Sequence, residues 1–240
     1  MSGRCIAMWS GPRNISTAMM RSWENRSDTV VIDEPFYAHF LQHTGIDHPM
    51  REEVINAGER NWQTVVDTLV QPPAKGIFYQ KHITTHWLDH FSTDWLDALD
   101  HVFLIRNPVF VAASYANKRA TLTASDLGYA QQSKLFDLIT KRSGQRPLVI
   151  DSTRFLNNPG EQLRALCNSL GIGFDENMLQ WRAGARATDG IWGQHWYDSV
   201  NQSTGFAPAR SALPALDPAQ QQVVDSCQPH YAALEQWAIK

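Results

Sequence analysis

The sequence predicts an α/β fold in which a parallel β-sheet carries helices on both faces, giving three layers. Short apolar runs alternate with longer amphipathic stretches along the chain, a pattern typical of strands connected by helices. The 240 residues are 43% hydrophobic and 19% charged, so there is enough apolar material for one sizeable core. The sequence has no internal repeat or low-complexity tract. We therefore expect residues 1–240 to form a single domain.

Five short apolar runs predict the strands, which lie at 4–9, 29–33, 76–81, 101–105 and 147–150. The amphipathic stretches predict helices at 16–26, 51–70, 87–99, 108–120, 124–143, 159–170 and 217–238. The helix at 159–170 has both ends marked, because Pro159 suits a first helical position and Gly171 can end the helix.

The segment 182–215 is rich in Gly, Ser and Thr, yet it contains two Trp, one Tyr and one Phe. Large aromatic side chains are unusual in a passive linker. We therefore expect an ordered loop or a lid.

Lys and Arg total 21 and Asp and Glu total 24, a net charge of −3. This balance gives no global attraction for nucleic acid or an anionic membrane, so any anion site has to be local. No stretch approaches 18 consecutive apolar residues and the first residues lack a secretory pattern, so we expect no membrane span and a cytoplasmic location. The three cysteines include no CxxC pair, which argues against a disulfide framework or a thiolate zinc site. The oligomeric state has no sequence signal.

The turn at 10–17, Ser-Gly-Pro-Arg-Asn-Ile-Ser-Thr, leads from the first strand into the first helix. Such a turn can point several backbone N–H groups and the positive end of the helix dipole at one anion. The triphosphatase motif GxxxxGK[ST] is not met, because Ser16 and Thr17 replace its second Gly and its Lys. Arg13 supplies a different cation inside the loop. The alternative is a helix capped by Asn14 or Ser16 beside an exposed Arg.

A second basic turn follows the strand at 101–105, where Arg106-Asn107-Pro108 leads into a helix that carries Ser114. A metal-dependent triphosphatase would have an acidic residue at the end of a core strand to hold Mg²⁺. Arg106 favours an anion there. The alternative is a surface Arg at the entry to a helix.

Together these turns resemble those of sulfotransferases that use 3′-phosphoadenosine 5′-phosphosulfate (PAPS). In that family a Pro-Lys-Ser-Gly-Thr-Thr-like loop holds the 5′-phosphosulfate, and residues 12–17 are in register with it. An Arg-x-Pro with a Ser eight residues after the Arg holds the 3′-phosphate, and Arg106 with Ser114 has that spacing. The resemblance implies a fold like that of P-loop nucleoside triphosphate hydrolases, with PAPS as co-substrate.

Two later stretches extend the resemblance to about residue 200. Residues 156–171 are similar to the family's segment that ends in a leucine-rich helix, and residues 182–196 are similar to the loop that folds over the cofactor. The chain departs from the family at Arg13 and Ala183, where Lys is usual, and at Ser152, where Tyr is expected. The resemblance implies these cofactor-binding residues: Gly11, Pro12, Arg13, Asn14, Ile15, Ser16, Thr17, Arg106, Ser114, Arg182 and Gly184.

Sulfuryl transfer needs a base for the acceptor proton and cations near the bridging oxygen, and it requires no metal. Glu34, which Pro35 follows, resembles the base of carbohydrate and protein-tyrosine sulfotransferases. His82 resembles the base of the small-molecule enzymes but lacks the spacer residue that separates it from the Lys. We favour Glu34, with Lys81 as a second cation beside Arg13 on the transferring group. A strand-end carboxylate paired with an Arg is the competing interpretation of Glu34.

Three other functions compete with this one. Residues 29–34, Thr-Val-Val-Ile-Asp-Glu, also resemble a strand end that holds Mg²⁺ in a small kinase or triphosphatase. His82, His86 and His90 recur at intervals of four residues, as do His39 and His43, which is a helical spacing for metal ligands, although there is no HExxH motif. Nine Trp would suit a non-catalytic nucleotide-binding interaction protein.

The expected partner is a small-molecule acceptor. Several aromatic side chains could line a pocket for a phenol, a sugar lipid or another small alcohol. They are Phe36, Tyr37, Trp192, His195, Trp196, Tyr197 and Phe206. The acidic balance of the chain argues against a long polyanionic acceptor and against nucleic acid.

Overall fold

The computed structural model describes residues 3–116, 121–210 and 212–240. Five strands form a sheet: β1 (Arg4–Ser10), β2 (Thr29–Asp33), β3 (Ile77–Ile83), β4 (Asp100–Ile105) and β5 (Leu148–Asp151). Their order is β2-β3-β1-β4-β5, and every neighbouring pair is parallel. The predicted parallel sheet is confirmed, and each strand lies within a few residues of its expected position.

Helices lie between and after the strands. The α-helices of the described residues are α1 (Ser16–Glu24), α2 (Tyr37–Thr44), α3 (Arg51–Ala57), α4 (Trp62–Leu69), α5 (Pro108–Ala116), α6 (Ala124–Leu127), α7 (Tyr129–Ser143), α8 (Ser152–Asn157), α9 (Pro159–Ser169), α10 (Gly193–Trp196), α11 (Asp198–Asn201) and α12 (Pro218–Glu235). Short 3₁₀ helices lie at Thr84–His86, Asp94–Ala98 and Glu176–Leu179.

Two of the predicted helices are interrupted. The stretch 51–70 is divided between α3 and α4, because the Asn61 side chain accepts hydrogen bonds from two backbone N–H groups and starts α4 anew. The stretch 124–143 is divided at Gly128, whose φ of +70° is incompatible with a helix interior. The last four residues of the predicted helix 108–120 lie outside the described residues.

The predicted helix at 87–99 is wrong, because irregular backbone and the 3₁₀ helix Asp94–Ala98 take its place. Trp87, Phe91 and Trp95 are buried in the core there, so their spacing of four residues reflects burial rather than helical periodicity. The sequence prediction lacks α2 and α8. These helices have eight and six residues, too few for a periodic pattern to stand out.

Apolar side chains of the central strand β1 point alternately to the two faces of the sheet. Ala7 and Trp9 pack in a cluster with side chains of α5, α7 and α12. Ile6 and Met8 pack on the other face with side chains of α1 and α9. A strand that is apolar on both faces is typical of a parallel sheet covered on both sides, and the predicted three layers are therefore present.

None of the helices in the described ranges combines the length and the apolar character that crossing a lipid bilayer requires. The cysteines Cys5, Cys167 and Cys227 are buried free thiols.

Candidate active site

A cavity of about 570 Å³ opens where β1, β2, β3 and β4 end. The carboxyl ends of parallel strands meet at one edge of a sheet, so turns that are far apart in sequence share this cavity. Its walls include the turns after these four strands, side chains of α2 and α5, and the segment 196–207.

The turn after β1 forms one wall, and residues 12–17 all line the cavity. Asn14 holds this turn in place, because its side-chain N–H donates to the carbonyl of Leu104 at 2.9 Å and its oxygen accepts from the N–H of Ile15 at 2.8 Å. No side chain of the described residues caps α1, so the alternative of a helix capped by Asn14 or Ser16 does not hold. The first N–H groups of α1 are therefore open to an anion.

The two predicted arginines meet in this cavity. Arg13 Nε donates to the hydroxyl of Ser114 at 3.1 Å, and Arg106 Nη1 donates to the backbone carbonyl of Arg13 at 2.7 Å. Burial lowers the pKa of both guanidinium groups, and the charges of Arg210 and Arg13 lower the pKa of Arg106 further. Among the described residues neither arginine forms an ion pair with a carboxylate. Arg106 is thus not a surface residue at a helix entry, and the corner has an excess of positive charge.

A buried charged network lies at the ends of β2 and β3. The ammonium of Lys81 donates to Asp33 Oδ1 at 2.8 Å, to Glu34 Oε1 and to the hydroxyl of Tyr197 at 2.7 Å. That hydroxyl in turn donates to Asp33 Oδ2 at 2.7 Å. All three protons of the ammonium are thus committed. Glu34 is paired with a lysine rather than with an arginine, and Lys81 has no proton left for a transferring group.

Glu34 has a special backbone conformation and an altered acidity. Its φ of +42° is in the left-handed region, where a residue other than glycine persists only if its surroundings hold it. Its N–H donates to the carbonyl of Lys81 at 2.9 Å. Burial raises the pKa of Glu34, although the charge of Lys81 acts in the opposite direction. Burial lowers the pKa of Lys81, but the charges of Asp33 and Glu34 outweigh this effect and the net pKa is raised.

Sequence reasoning missed the role of His86 in this cavity. Its Nδ1 is 3.9 Å from Glu34 Oε2 and has no hydrogen-bond partner within the described ranges. The imidazole stacks on the rings of Tyr37 and Phe40, with centroids 4.5 and 4.7 Å away. Burial lowers its pKa well below the usual value, which favours the neutral form of the ring. Its place three residues after the end of β3 could have indicated a position in the cavity. Its spacing from His82 and His90 indicated only a metal ligand.

His82, the second candidate base, does not line the cavity. It lies in the core, where its ring stacks on that of Trp9 at 4.2 Å and Nε2 is 3.2 Å from Gln80 Oε1. Burial lowers its pKa to about 3. This placement removes His82 from the candidate bases. It also separates His82 from the other histidines of the proposed metal spacing.

Three of the predicted cofactor-binding residues lie outside the cavity lining. They are Gly11, Arg182 and Gly184. A Cβ at Gly11 would lie 3.0 Å from the carbonyl oxygen of Leu127, so this glycine permits a close approach between the turn after β1 and the end of α6. The N–H of Gly184 donates to the carbonyl of Asn201 at 2.7 Å.

The late segment, by which we mean the described part of 182–215, is ordered by buried polar contacts. Arg21 binds Asp189 through two hydrogen bonds of 2.6 and 2.7 Å, and the N–H of Gly190 donates to Asp33 Oδ2 at 3.1 Å. Trp196 and Phe206 line the cavity. The segment therefore contributes both to the charged network and to the aromatic wall.

Comparison with known proteins places the chain in a family. The sulfotransferase domain matches residues 4–238. The chain therefore belongs to the sulfotransferase family, a family of transferases, as the two basic turns predict.

Two relatives come from Arabidopsis thaliana. Branched-chain-amino-acid aminotransferase-like protein 1 is 38% identical over 203 residues, which are 84% of this chain and 36% of the relative. Branched-chain-amino-acid aminotransferase-like protein 2 is 32% identical over 230 residues, which are 95% and 41% of the two chains. The chain spans about two fifths of the length of these relatives.

Solved structures share the fold. The sulfotransferase domain from the Synechococcus PCC 7002 olefin synthase is 17% identical with a TM-score of 0.57, and the match covers 94% of each chain. A mouse sulfotransferase complexed with PAP is 14% identical with a TM-score of 0.56, and the match covers 98% of this chain and 89% of that chain. These likenesses confirm the P-loop-like α/β fold that the resemblance implies.

Proposed function

We propose that this chain transfers a sulfuryl group from PAPS to a hydroxyl or amine group of a small acceptor. One observation carries the proposal. The cavity has two arginines at one end that no described carboxylate neutralises, and at the other end a buried glutamate beside an unpartnered histidine nitrogen. The first end suits phosphates and the second suits removal of a proton.

The basic end fits a doubly phosphorylated nucleotide. The whole cavity has a volume of about 570 Å³, which is within the roughly 300–1,000 Å³ of small-molecule sites. Arg13 and the uncapped N–H groups of α1 would hold the 5′-phosphosulfate, and Arg106 with Ser114 would hold the 3′-phosphate. Since Arg13 already contacts Ser114, both phosphates would be held by one continuous basic surface.

The carboxylate end supplies the base. PAPS, when bound, supplies the sulfuryl group on a phosphate oxygen. Glu34 Oε2 would take the acceptor proton while the acceptor oxygen bonds to sulfur. The bond from sulfur to the bridging phosphate oxygen breaks, and its electron pair stays on the phosphate. Arg13 would stabilise that charge. Lys81, whose protons are committed, would position Glu34 and leave the transferring group to Arg13.

The acceptor would lie against an aromatic wall. Tyr37, Phe40, Trp196 and Phe206 line the cavity, and such a surface suits a phenol or another small alcohol. The neutral ring of His86 would share a hydrogen bond with the acceptor hydroxyl.

Calorimetry tests the donor. PAP (3′,5′-diphosphoadenosine) should bind at one molecule per chain with EDTA present, and ATP with Mg²⁺ should not bind. The reverse result would favour the kinase or triphosphatase suggested by residues 29–34. Here Lys81 binds both carboxylates that would hold Mg²⁺ in such an enzyme.

Pools of alcohols, phenols and amines with labelled PAPS would then identify the acceptor. A lack of transfer to any pool would favour a non-catalytic nucleotide-binding protein.

The proposal includes one domain over residues 1–240, with the segment 182–215 covering the bound nucleotide, and a cytoplasmic location. Three buried free thiols suit a reducing compartment. Cell fractionation tests the location. Limited proteolysis with and without PAP tests whether the segment 182–215 covers the nucleotide, because PAP should then protect this segment from cleavage.

A further inference from the structure

Three histidines meet beside α2, outside the lining of the cavity. His39 and His43 are one helical turn apart on α2, and His90 lies in the loop after the 3₁₀ helix Thr84–His86. Each offers a ring nitrogen, and these nitrogens all lie within 4.8 Å of one another. Across the described ranges, this is the one such group of His, Cys, Asp or Glu side chains.

The spacing of two nitrogens matches that of ligands on one metal ion. A Zn–N distance of about 2.0–2.1 Å in tetrahedral geometry places two ligating nitrogens about 3.3 Å apart. Nε2 of His39 and Nε2 of His90 are 3.1 Å apart. The rings of His43 and His90 have centroids 4.4 Å apart, so the third imidazole is close to the same point.

The hydrogen bonding of His39 prepares its Nε2 as a ligand. Its Nδ1 is 2.7 Å from the backbone carbonyl of Arg60, which can only accept. Nδ1 of the neutral ring therefore carries the proton and Nε2 carries the lone pair. His39 is buried while His43 and His90 are exposed. A buried imidazole fixed through its other nitrogen is the usual arrangement of a metal-ligating histidine.

We propose that His39, His43 and His90 bind one late first-row divalent cation, with Zn²⁺ the best fit and a fourth position open to solvent. Imidazole nitrogen suits Zn²⁺, Ni²⁺ and Cu²⁺, whereas Mg²⁺ and Ca²⁺ prefer oxygen ligands. The ion takes no part in sulfuryl transfer, since none of the three residues lines the cavity.

The site would act as a clamp on one wall of the cavity. Tyr37, Phe40 and Thr44 of α2 line the cavity, and at 100° per residue His39 and His43 project from a neighbouring face, roughly 110° around the helix. The loop that carries His90 follows directly on His86, which itself lines the cavity. An ion bound here would tie α2 to that loop and fix the distance between these two elements of the wall.

Titration of the untagged full chain with Zn²⁺, after removal of bound metal with EDTA, tests the proposal. We expect one ion per chain by calorimetry. His43→Ala and His90→Ala, both at exposed positions, should each weaken binding by at least about tenfold, since losing even a group that only orients a ligand costs roughly 10- to 100-fold. His230→Ala on α12 is the matched control and should bind as the unchanged chain does.

Thermal unfolding gives a second readout that is independent of activity. Zn²⁺ should raise the Tm of the unchanged chain and of His230→Ala, and EDTA should reverse this shift, because a ligand of the folded state stabilises it. The two ligand variants should show little or no shift. A lack of saturable Zn²⁺ binding, or equal binding by the unchanged chain and both ligand variants, would mean that the three rings form only a hydrogen-bonded cluster.

Discussion

The two ends of the cavity differ in whether their charges are balanced within the protein. At the carboxylate end, Lys81 is enclosed by Asp33, Glu34 and Tyr197, so its charge is balanced inside the protein. At the arginine end, the guanidinium groups of Arg13 and Arg106 contact a hydroxyl and a backbone carbonyl. A balanced network keeps its shape without a ligand, whereas unbalanced cations in a partly desolvated corner attract an anion. The first end therefore suits a fixed chemical group and the second suits a binding site.

Glu34→Gln should have the largest effect. The amide cannot accept the acceptor proton, so we expect kcat to fall by about 10²- to 10⁴-fold. PAP affinity should change little, because Glu34 is at the opposite end from the arginines. Steady-state kinetics and calorimetry measure these two quantities. Glu53→Gln, at an exposed position of α3, is the matched control. Unchanged turnover in Glu34→Gln would remove this residue from the mechanism.

Arg106→Ala should weaken PAP binding, the quantity that Glu34→Gln leaves nearly unchanged. A hydrogen bond to a charged group contributes about 1.5–3 kcal/mol, so PAP affinity should fall by roughly 10- to 150-fold. Ser114→Ala, which removes an uncharged hydroxyl, should cost less. Calorimetry at two salt concentrations should also show that Arg106→Ala reduces the salt dependence of binding, because one cation facing the phosphates is lost.

Arg182→Ala tests whether an arginine outside the cavity lining contributes to PAP binding. Arg182 is implied by the family resemblance but lies outside the cavity lining, so PAP affinity should stay close to that of the unchanged chain. Arg146→Ala, whose side chain stacks on Trp237, is the control for removal of a surface cation. A loss in Arg182→Ala as large as that in Arg106→Ala would show that Arg182 itself contacts the bound nucleotide, as the family resemblance implies.

The role of Lys81 is tested by a pH profile. Glu34 acts as a base when deprotonated, so kcat/KM should rise with pH through its pKa, which burial raises above the ordinary value. The charge of Lys81 lowers that pKa. Lys81→Met should therefore move the rising limb of the profile to higher pH, and Lys81→Arg, which keeps the charge, should leave it near its original position. A lower rate at every pH without a shift would mean that Lys81 only supports the structure.

The sheet and the arginine corner could be predicted because their causes are local. Strands buried on both faces have nearly continuous apolar sequences. The turns that follow parallel strands all lie at the same edge of the sheet. Arg106 follows such a run directly, and Arg13 lies three residues after another. Their position at one edge of the sheet was thus predictable from the order of elements, and the family resemblance implied that the two meet.

The carboxylate end could be predicted only in part. Tyr197 and Gly190 reach Asp33 from more than 150 positions away in sequence, and no local pattern indicates such a contact. His82 was misjudged because neighbouring residues of a strand point to opposite faces. Lys81 faces the site, so His82 faces the core and packs on Trp9.

His86→Phe should have a small effect that is confined to the acceptor, and it identifies the end at which the acceptor enters. Phenylalanine keeps the stack on Tyr37 and Phe40 and removes Nδ1. Loss of one hydrogen bond of about 0.5–1.5 kcal/mol should raise the KM for the acceptor by roughly 2- to 12-fold, with kcat and PAP affinity nearly unchanged. If PAP affinity falls instead while the acceptor KM stays constant, the nucleotide extends into the histidine side. The acceptor would then have to approach Glu34 from the late segment.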